Sequence, residues 1–177
     1  MVLWWGGMVI MSKPIIYLVG SLRNLKIPLI GQKIREAGFE VFDEWFCAGP
    51  EADDHFKKYH VELGIPYDQA LKGHAAKHIF EFDKKHLDRA DMAVLIMPAG
   101  RSGHLELGYM VGKGKPSFVL LEEGTERWDL MLQFANGVFF SLEKLIEDLS
   151  GWANVGYQGF QLSGFYPSGK IITCSGS

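Results

Sequence analysis

A chain of 177 residues with 47% apolar and 22% charged residues has the composition of a globular protein, long enough for one domain with a real core and short for two. Its net charge of -3 and pI near 6.1 supply no broad basic field, which argues against a nucleic-acid polymer as partner while leaving a single nucleotide open. Cys47 and Cys174 stand far apart with no CxxC spacing, so neither a zinc site nor a disulfide framework is expected, and a reducing cytoplasm fits.

The opening stretch MVLWWGGMVIM is apolar but lacks a basic leading region and is too short to span a bilayer, so residues 1–13 read as an N-terminal extension. The chain then alternates short β-branched runs with helical periodicity, the pattern of a parallel sheet with crossover helices. IIYLV, Ile15 to Val19, is the first predicted strand. It runs through GSLRN into a predicted helix, IPLIGQKIREAG, with Pro28 near its first turn and Gly38 at its end. FEVF, Phe39 to Phe42, is the second strand and leads into DEWFCAGPEADD. Ala70, Leu71, Ala75, Ile79, Phe82 and Leu87 recur at roughly helical spacing, which predicts one long amphipathic helix from about Asp68 to Leu87. MAVLIM, Met92 to Met97, is the third strand, and the loop PAGRSG delivers the chain to a helix that carries Glu106 and ends at GKGKP. SFVLL and GVFF make the fourth and fifth strands, and SLEKLIEDL a last helix with Ser141 as its N-cap.

Residues 151–177 are rich in Gly, Ser and aromatics without a sustained period and read as an appended tail. Residues 14–150 are therefore expected to form one α/β domain, a three-layer sandwich around a five-stranded parallel sheet of flavodoxin-like or Rossmann-like type. Sheets of this kind bind ligands beyond the carboxyl ends of their strands. That rule nominates Gly20, Ser21 and Arg23 after the first strand, Asp43, Glu44 and Trp45 after the second, Ser102, Gly103 and Glu106 after the third, and Glu122 and Glu123 after the fourth.

The helix macrodipole favours acids in a first turn, so Glu106 can be a cap. The same field is expected to keep it ionised near neutral pH, and an ionised carboxylate at a strand end is a usable nucleophile. Asp83, flanked by Phe80, Phe82 and Leu87, is either a solvated helix acid or the edge of an apolar face. Asp91, directly before the third strand, reads as a turn residue. Two carboxylates about a sugar break a glycosidic bond economically, one attacking the anomeric carbon and the other managing the leaving group's proton. Trp45 and Phe46 either offer an aromatic face for a base or plug the core. GSLRN can cradle an anion with its backbone N–H groups and Arg23, but it lacks both GxGxxG and the Walker pattern. The six histidines are scattered, and His74 and His78 have no third ligand, so no metal and no cofactor are expected.

These residues resemble the nucleoside 2-deoxyribosyltransferases and their relatives, the 2'-deoxynucleoside 5'-monophosphate N-glycosidases. The resemblance runs from about Ile15 to Leu149 and is strongest in IYLVGSLRN, FDKKHLDRADMAVLIM, GHLELGYMVGKGKP and RWDLM. It implies that Glu106 of ELGY is the nucleophile and that Asp83 positions or protonates the leaving base, in a double displacement through a deoxyribosyl ester. Tyr109, one turn on, either steadies Glu106 or packs, the commoner role for a helix tyrosine at that spacing. Ser21 and Arg23 match a phosphate-binding turn, with Ser102 near a second phosphate contact. WDLM resembles a segment in which a polar side chain from a neighbouring subunit reaches the sugar 5'-hydroxyl. Here that residue is Asp129 where the transferases carry Asn, and its carboxylate would repel a phosphate and accept from a free hydroxyl. The resemblance thus implies a homo-oligomer acting on a deoxynucleoside and a free nucleobase, with hydrolysis of a 5'-monophosphate as the alternative and a non-catalytic nucleotide sensor as the alternative of another class. A flavin protein is disfavoured, because the first loop lacks a run of Ser and Thr hydroxyls. Two parts depart from the family pattern: the long stretch between Asp43 and Asp68, and the Gly-rich tail.

Overall fold

The computed structural model describes residues 12–121, 128–155 and 170–172. IIYLV forms β1 (Ile15–Val19), and its side chains alternate across the sheet. Ile16 and Leu18 join the core on one side, Tyr17 and Val19 the core on the other. The chain then forms α1 (Ile27–Glu36), β2 (Glu40–Phe42), a 3-10 turn (Glu44–Ala48), α2 (Ala52–Glu62), α3 (Tyr67–Ala70), α4 (His74–Arg89), β3 (Met92–Ile96) and α5 (Arg101–Gly112). After β4 (Ser117–Leu120) come a second 3-10 turn (Leu130–Phe134), β5 (Gly137–Phe139), α6 (Leu142–Val155) and β6 (Lys170–Ile172).

All strand pairings are parallel, in the order β2-β1-β3-β4-β5-β6. The first five strands give the expected parallel sheet in flavodoxin-like order. The short β6, within the stretch that reads as an aperiodic tail, extends it beside β5. On one face Ile27, Ile30 and Ile34 of α1 and Leu145 and Leu149 of α6 pack against Ile16, Val94, Ile96 and Phe118. On the other, Leu87 of α4 and Leu107 and Met110 of α5 pack against Tyr17, Val19, Ala93 and Leu95. Each fully buried Ile or Leu in these layers contributes roughly 2 kcal/mol.

Local signals explain several boundaries. Pro28 sits in the first turn of α1, and Gly38, with φ 105, takes the left-handed conformation that turns the chain into β2. Asp91 is structural, as its position suggests: its carboxylate accepts the Ile15 N–H at 2.8 Å while its own N–H donates to the Ile15 carbonyl at 2.8 Å. Ser141 accepts the Lys144 N–H at 3.5 Å, a long capping bond at the start of α6. Among the described residues no helix is long and apolar enough to cross a membrane.

The long helix expected from Asp68 is broken. α3 ends at Ala70, and α4 starts only after Gly73, whose ψ of 161 is extended. A Cβ at Gly73 would lie 3.0 Å from the Ala70 carbonyl oxygen, so the glycine permits the tight joint. Hydrophobic spacing runs through such a joint without registering it, because the apolar faces on both sides keep a similar period.

Candidate active site

The carboxyl ends of β1 and β3 bring together groups from distant parts of the sequence. Tyr17 projects from β1 and is 1% exposed. Its hydroxyl is pushed far above the ordinary phenol range by burial, then by the charges of Glu106 and of Asp83. Glu106 is half-buried on α5, and burial followed by the Asp83 charge pushes its carboxyl up from 4.5 to about 7. Asp83 on α4 is raised by burial, against a smaller lowering by His86. Two carboxylates and a phenol therefore share one neighbourhood. Phe42 walls it, with Tyr17 at 5.2 Å between ring centroids and His86 stacked on it at 3.8 Å and 8°.

Glu106 is not held ionised in the way its motif suggests. α5 begins at Arg101, so Glu106 lies beyond the first turn, where the macrodipole fades. Burial and Asp83 act instead, and both favour the protonated acid. The two acids titrate as a pair, and the pair resists losing its last proton until near neutrality.

Beside this cluster lies an open cleft of about 410 Å³ lined by Ser21, Arg23, Asn24, Leu25, Lys26, Pro98 and Ala99. The acids are not among its lining residues, but a Cβ on Gly103 would stand 3.4 Å from the Ala99 Cβ, and Glu106 follows Gly103 by one helical turn. That Cβ would also stand 3.2 Å from Val19 and from Leu95, so the glycine lets α5 close onto the ends of β1 and β3. Gly20 acts similarly, since a Cβ there would meet Ile27 at 2.6 Å and Trp45 at 3.6 Å. Asn24 is buried and binds the loop together: its amide donates to the Met97 carbonyl at 3.4 Å, and its side-chain oxygen accepts the Lys26 N–H at 3.1 Å. The Ser21 hydroxyl accepts the Arg23 N–H at 3.2 Å, and the Arg23 guanidinium donates to Asp54 of α2 at 2.6 Å.

The remaining nominated residues separate into groups. Trp45 donates from its indole to the Leu18 carbonyl at 2.8 Å and packs against both core layers, which makes it a wall of the β1 end. Asp43 is turned onto α1, where it pairs with Arg35. Tyr109 does not steady Glu106: its hydroxyl donates to Asp88 at 2.5 Å, with Lys84 and Lys113 over its ring. Asp88 draws it away because that carboxylate is the shared acceptor of both lysines. Ser102 and Glu44 are exposed. Asp129 caps the second 3-10 turn by accepting the Met131 N–H at 3.0 Å, and Glu122 and Glu123 lie outside the described residues. No group of three or more His, Cys, Asp or Glu placed to hold a metal occurs among the described residues.

Sequence reasoning missed Tyr17 and Asn24. Tyr17 sits in an apolar strand run and reads as packing; a phenol inside a buried strand that ends at a nominated loop is the signal that was available. Asn24 lies in the quoted turn, and its capacity to bind both ways identifies it as the loop's organiser.

No protein-family model matches the chain, and no curated protein matches it in sequence. Solved structures match in fold. A conserved protein from Enterococcus faecalis is 15% identical with a TM-score of 0.56, over 80% of this chain and 99% of that one. A 2-deoxyribosyltransferase from Bacillus psychrosaccharolyticus is 21% identical with a TM-score of 0.51, over 75% of this chain and 90% of that one. A CMP N-glycosidase from Clostridium botulinum superimposes less closely, with 14% identity and a TM-score of 0.47 over 77% of this chain and 98% of that one. The chain shares the flavodoxin-like α/β fold of the first two.

Proposed function

We propose that this protein cleaves the N-glycosidic bond of a 2'-deoxynucleoside and transfers the deoxyribosyl group to a second base. The observation that carries the reading is the half-buried pair Glu106 and Asp83, with Glu106 titrating near neutrality beside Tyr17. The fold shared with a 2-deoxyribosyltransferase supports it. A Glu106 oxygen attacks C1' as the C1'–N bond breaks, and the departing base takes a proton from Asp83. The incoming base then attacks C1', the ester breaks, and the incoming base's proton returns to Asp83.

Attack requires the Glu106 anion beside a protonated Asp83, and in the free protein burial and the Asp83 charge both oppose that anion. A base hydrogen-bonded to the protonated Asp83 favours the arrangement in which Glu106 carries the charge. Phe42, against Tyr17 and stacked on His86, supplies apolar surface beside the acids. A neighbouring copy contributes Asp129, a reading supported by the exposed apolar residues around it: Trp128 is 90% exposed and Phe134 70%. The second reading, hydrolysis of a 5'-monophosphate, is favoured by the cleft that holds Ser21 and Arg23.

The test is incubation with a panel of 2'-deoxynucleosides and their 5'-monophosphates, with and without a free base, followed by chromatography. Base exchange on nucleosides that is lost in Glu106→Ala is expected. Release from monophosphates alone would replace transfer with hydrolysis. No turnover by folded protein would leave the nucleotide-sensor reading.

A further inference from the structure

In the cleft beside the acids, Arg23 is the residue best equipped to hold an anion, since a guanidinium binds phosphate oxygens through paired N–H groups. It is already engaged. Asp54, in the first turn of α2, accepts from its Nη2 at 2.6 Å, and the two side chains are 62% and 63% exposed. We propose that Asp54 is a specificity-determining residue that occupies Arg23 as an internal carboxylate and thereby selects against ligands carrying a phosphate at the end of the sugar that enters this cleft. The inference rests on the proposed cleavage of deoxynucleosides for the identity of the substrate, and on the cleft and the ion pair for its physics.

The argument runs through charge and position. A phosphate entering among Ser21, Arg23 and Lys26 has to displace Asp54 from the guanidinium and then remain near the released carboxylate, so it meets competition first and repulsion afterwards. A neutral hydroxyl meets neither, because it carries no charge to compete for the guanidinium and the Ser21 hydroxyl suffices as its partner. The barrier is graded: an exposed ion pair holds weakly, so it biases the choice without closing the cleft. α2 buries none of its residues, and its surface position leaves Asp54 able to swing away when its charge is removed or outcompeted. The bias is therefore adjustable by single substitutions. It is also screened by salt, as an interaction between exposed charges must be.

Asp54→Asn in the full chain removes the competing charge and leaves a side chain of the same size. The ratio of kcat/KM for 2'-deoxyinosine 5'-monophosphate to that for 2'-deoxyinosine should rise about two- to fivefold at low salt, through KM rather than kcat. Inorganic phosphate should inhibit nucleoside turnover more strongly in Asp54→Asn by a similar factor, and Arg23→Gln in the same background should abolish that gain. Asp53→Asn, which takes one charge from the same turn of α2 and leaves the Arg23 pair in place, should leave the ratio unchanged and so controls for any loosening of the helix. Equal ratios in wild type and Asp54→Asn, or wild type that already prefers the monophosphate, would overturn the proposal. Calorimetric titration with the monophosphate gives the same comparison without turnover. Tighter binding by Asp54→Asn in a protein that turns over neither substrate upholds the role of Asp54 and sinks the catalytic reading, whereas turnover with no change in the ratio does the reverse.

Discussion

Asp83 and Asp88 stand on the same helix and both interact with α5, yet their surroundings move them in opposite directions. Asp83 is half-buried beside Glu106 and Tyr17, and its carboxyl is raised by burial. Asp88 faces Lys84 and the Tyr109 hydroxyl, each at 2.5 Å, and Lys113 at 3.2 Å, and these partners hold its carboxyl well below the usual range. Below it, Lys115 donates to the Leu87, Asp88 and Ala90 carbonyls and closes the end of α4. One end of the α4–α5 pair thus satisfies its charges with two lysines, and the other brings two acids together with only the smaller influence of His86 on Asp83 to offset burial. Residue type does not separate the two aspartates; partners and solvent do.

The largest test of this contrast is Glu106→Gln. It should lower base release by about a thousandfold or more, because an amide cannot form the ester. The same change should stabilise the fold, with a definite pH dependence. The folded carboxyl titrates at about 7 against an ordinary 4.5, so the folded state binds the proton more tightly. The wild type then has its full stability below 4.5 and loses part of it as the pH rises through 7, when a half-buried charge must be tolerated. Glutamine escapes that loss. Thermal and urea unfolding should find the variant more stable by roughly 1 to 3 kcal/mol at pH 8, with little difference near pH 4.5. A variant that is less stable at pH 8 would mean that Glu106 makes favourable contacts as an anion.

Asp83→Asn comes next, with a loss of about a hundredfold expected from a missing proton carrier. Its pH profile carries more information than its rate. When the pair delivers a proton, wild-type kcat/KM falls on the alkaline side near 7, as the last proton leaves, and on the acid side above the ordinary 3.8 of an aspartate. Asparagine removes both the proton and the charge that raises Glu106. The residual activity should lose the alkaline limb, and its acid limb, now Glu106 alone, should fall below 7. A wild-type rate that only rises through 7 would reduce Asp83 to an orienting role.

How much of this was legible before the structure depends on the range of the interaction concerned. The strands and the parallel sheet follow from local patterns: IIYLV and MAVLI are buried runs, and Pro28 and Gly38 bracket a helix. Glu106 could be nominated because it follows the third strand, and Asp83 was legible as a residue of the long helix, its role coming only from the resemblance. Their protonation was not, because it depends on where α5 begins and on burial by elements far apart in sequence. Tyr17 was hidden by its own strand, whose hydrophobicity gives no sign that two acids meet it. Asp54 was equally silent, since its pairing with Arg23 joins a loop to a helix in the stretch with no recognisable pattern. β6 is too short to show a period.

The smallest effect is the one that closes the comparison. Asp88→Asn keeps the shape of the side chain and removes the charge that holds Lys84, Lys113 and the Tyr109 hydroxyl. The folded carboxyl lies below its ordinary 3.8, so any stability it gives is complete at neutral pH and is lost only as the pH falls through the lowered value. All three partners are reachable by solvent, and such pairs contribute little. At pH 7 the variant should melt slightly below wild type in dilute buffer and level with it in about 1 M salt, where charges are screened within about 3 Å. Base release should change by less than about twofold, since surface substitutions away from a site rarely do more. A loss in Asp88→Asn as large as that in Asp83→Asn would mean that the paired end of α4 also governs the reaction, and that the lysine partners of Asp88 are not what separates it from Asp83.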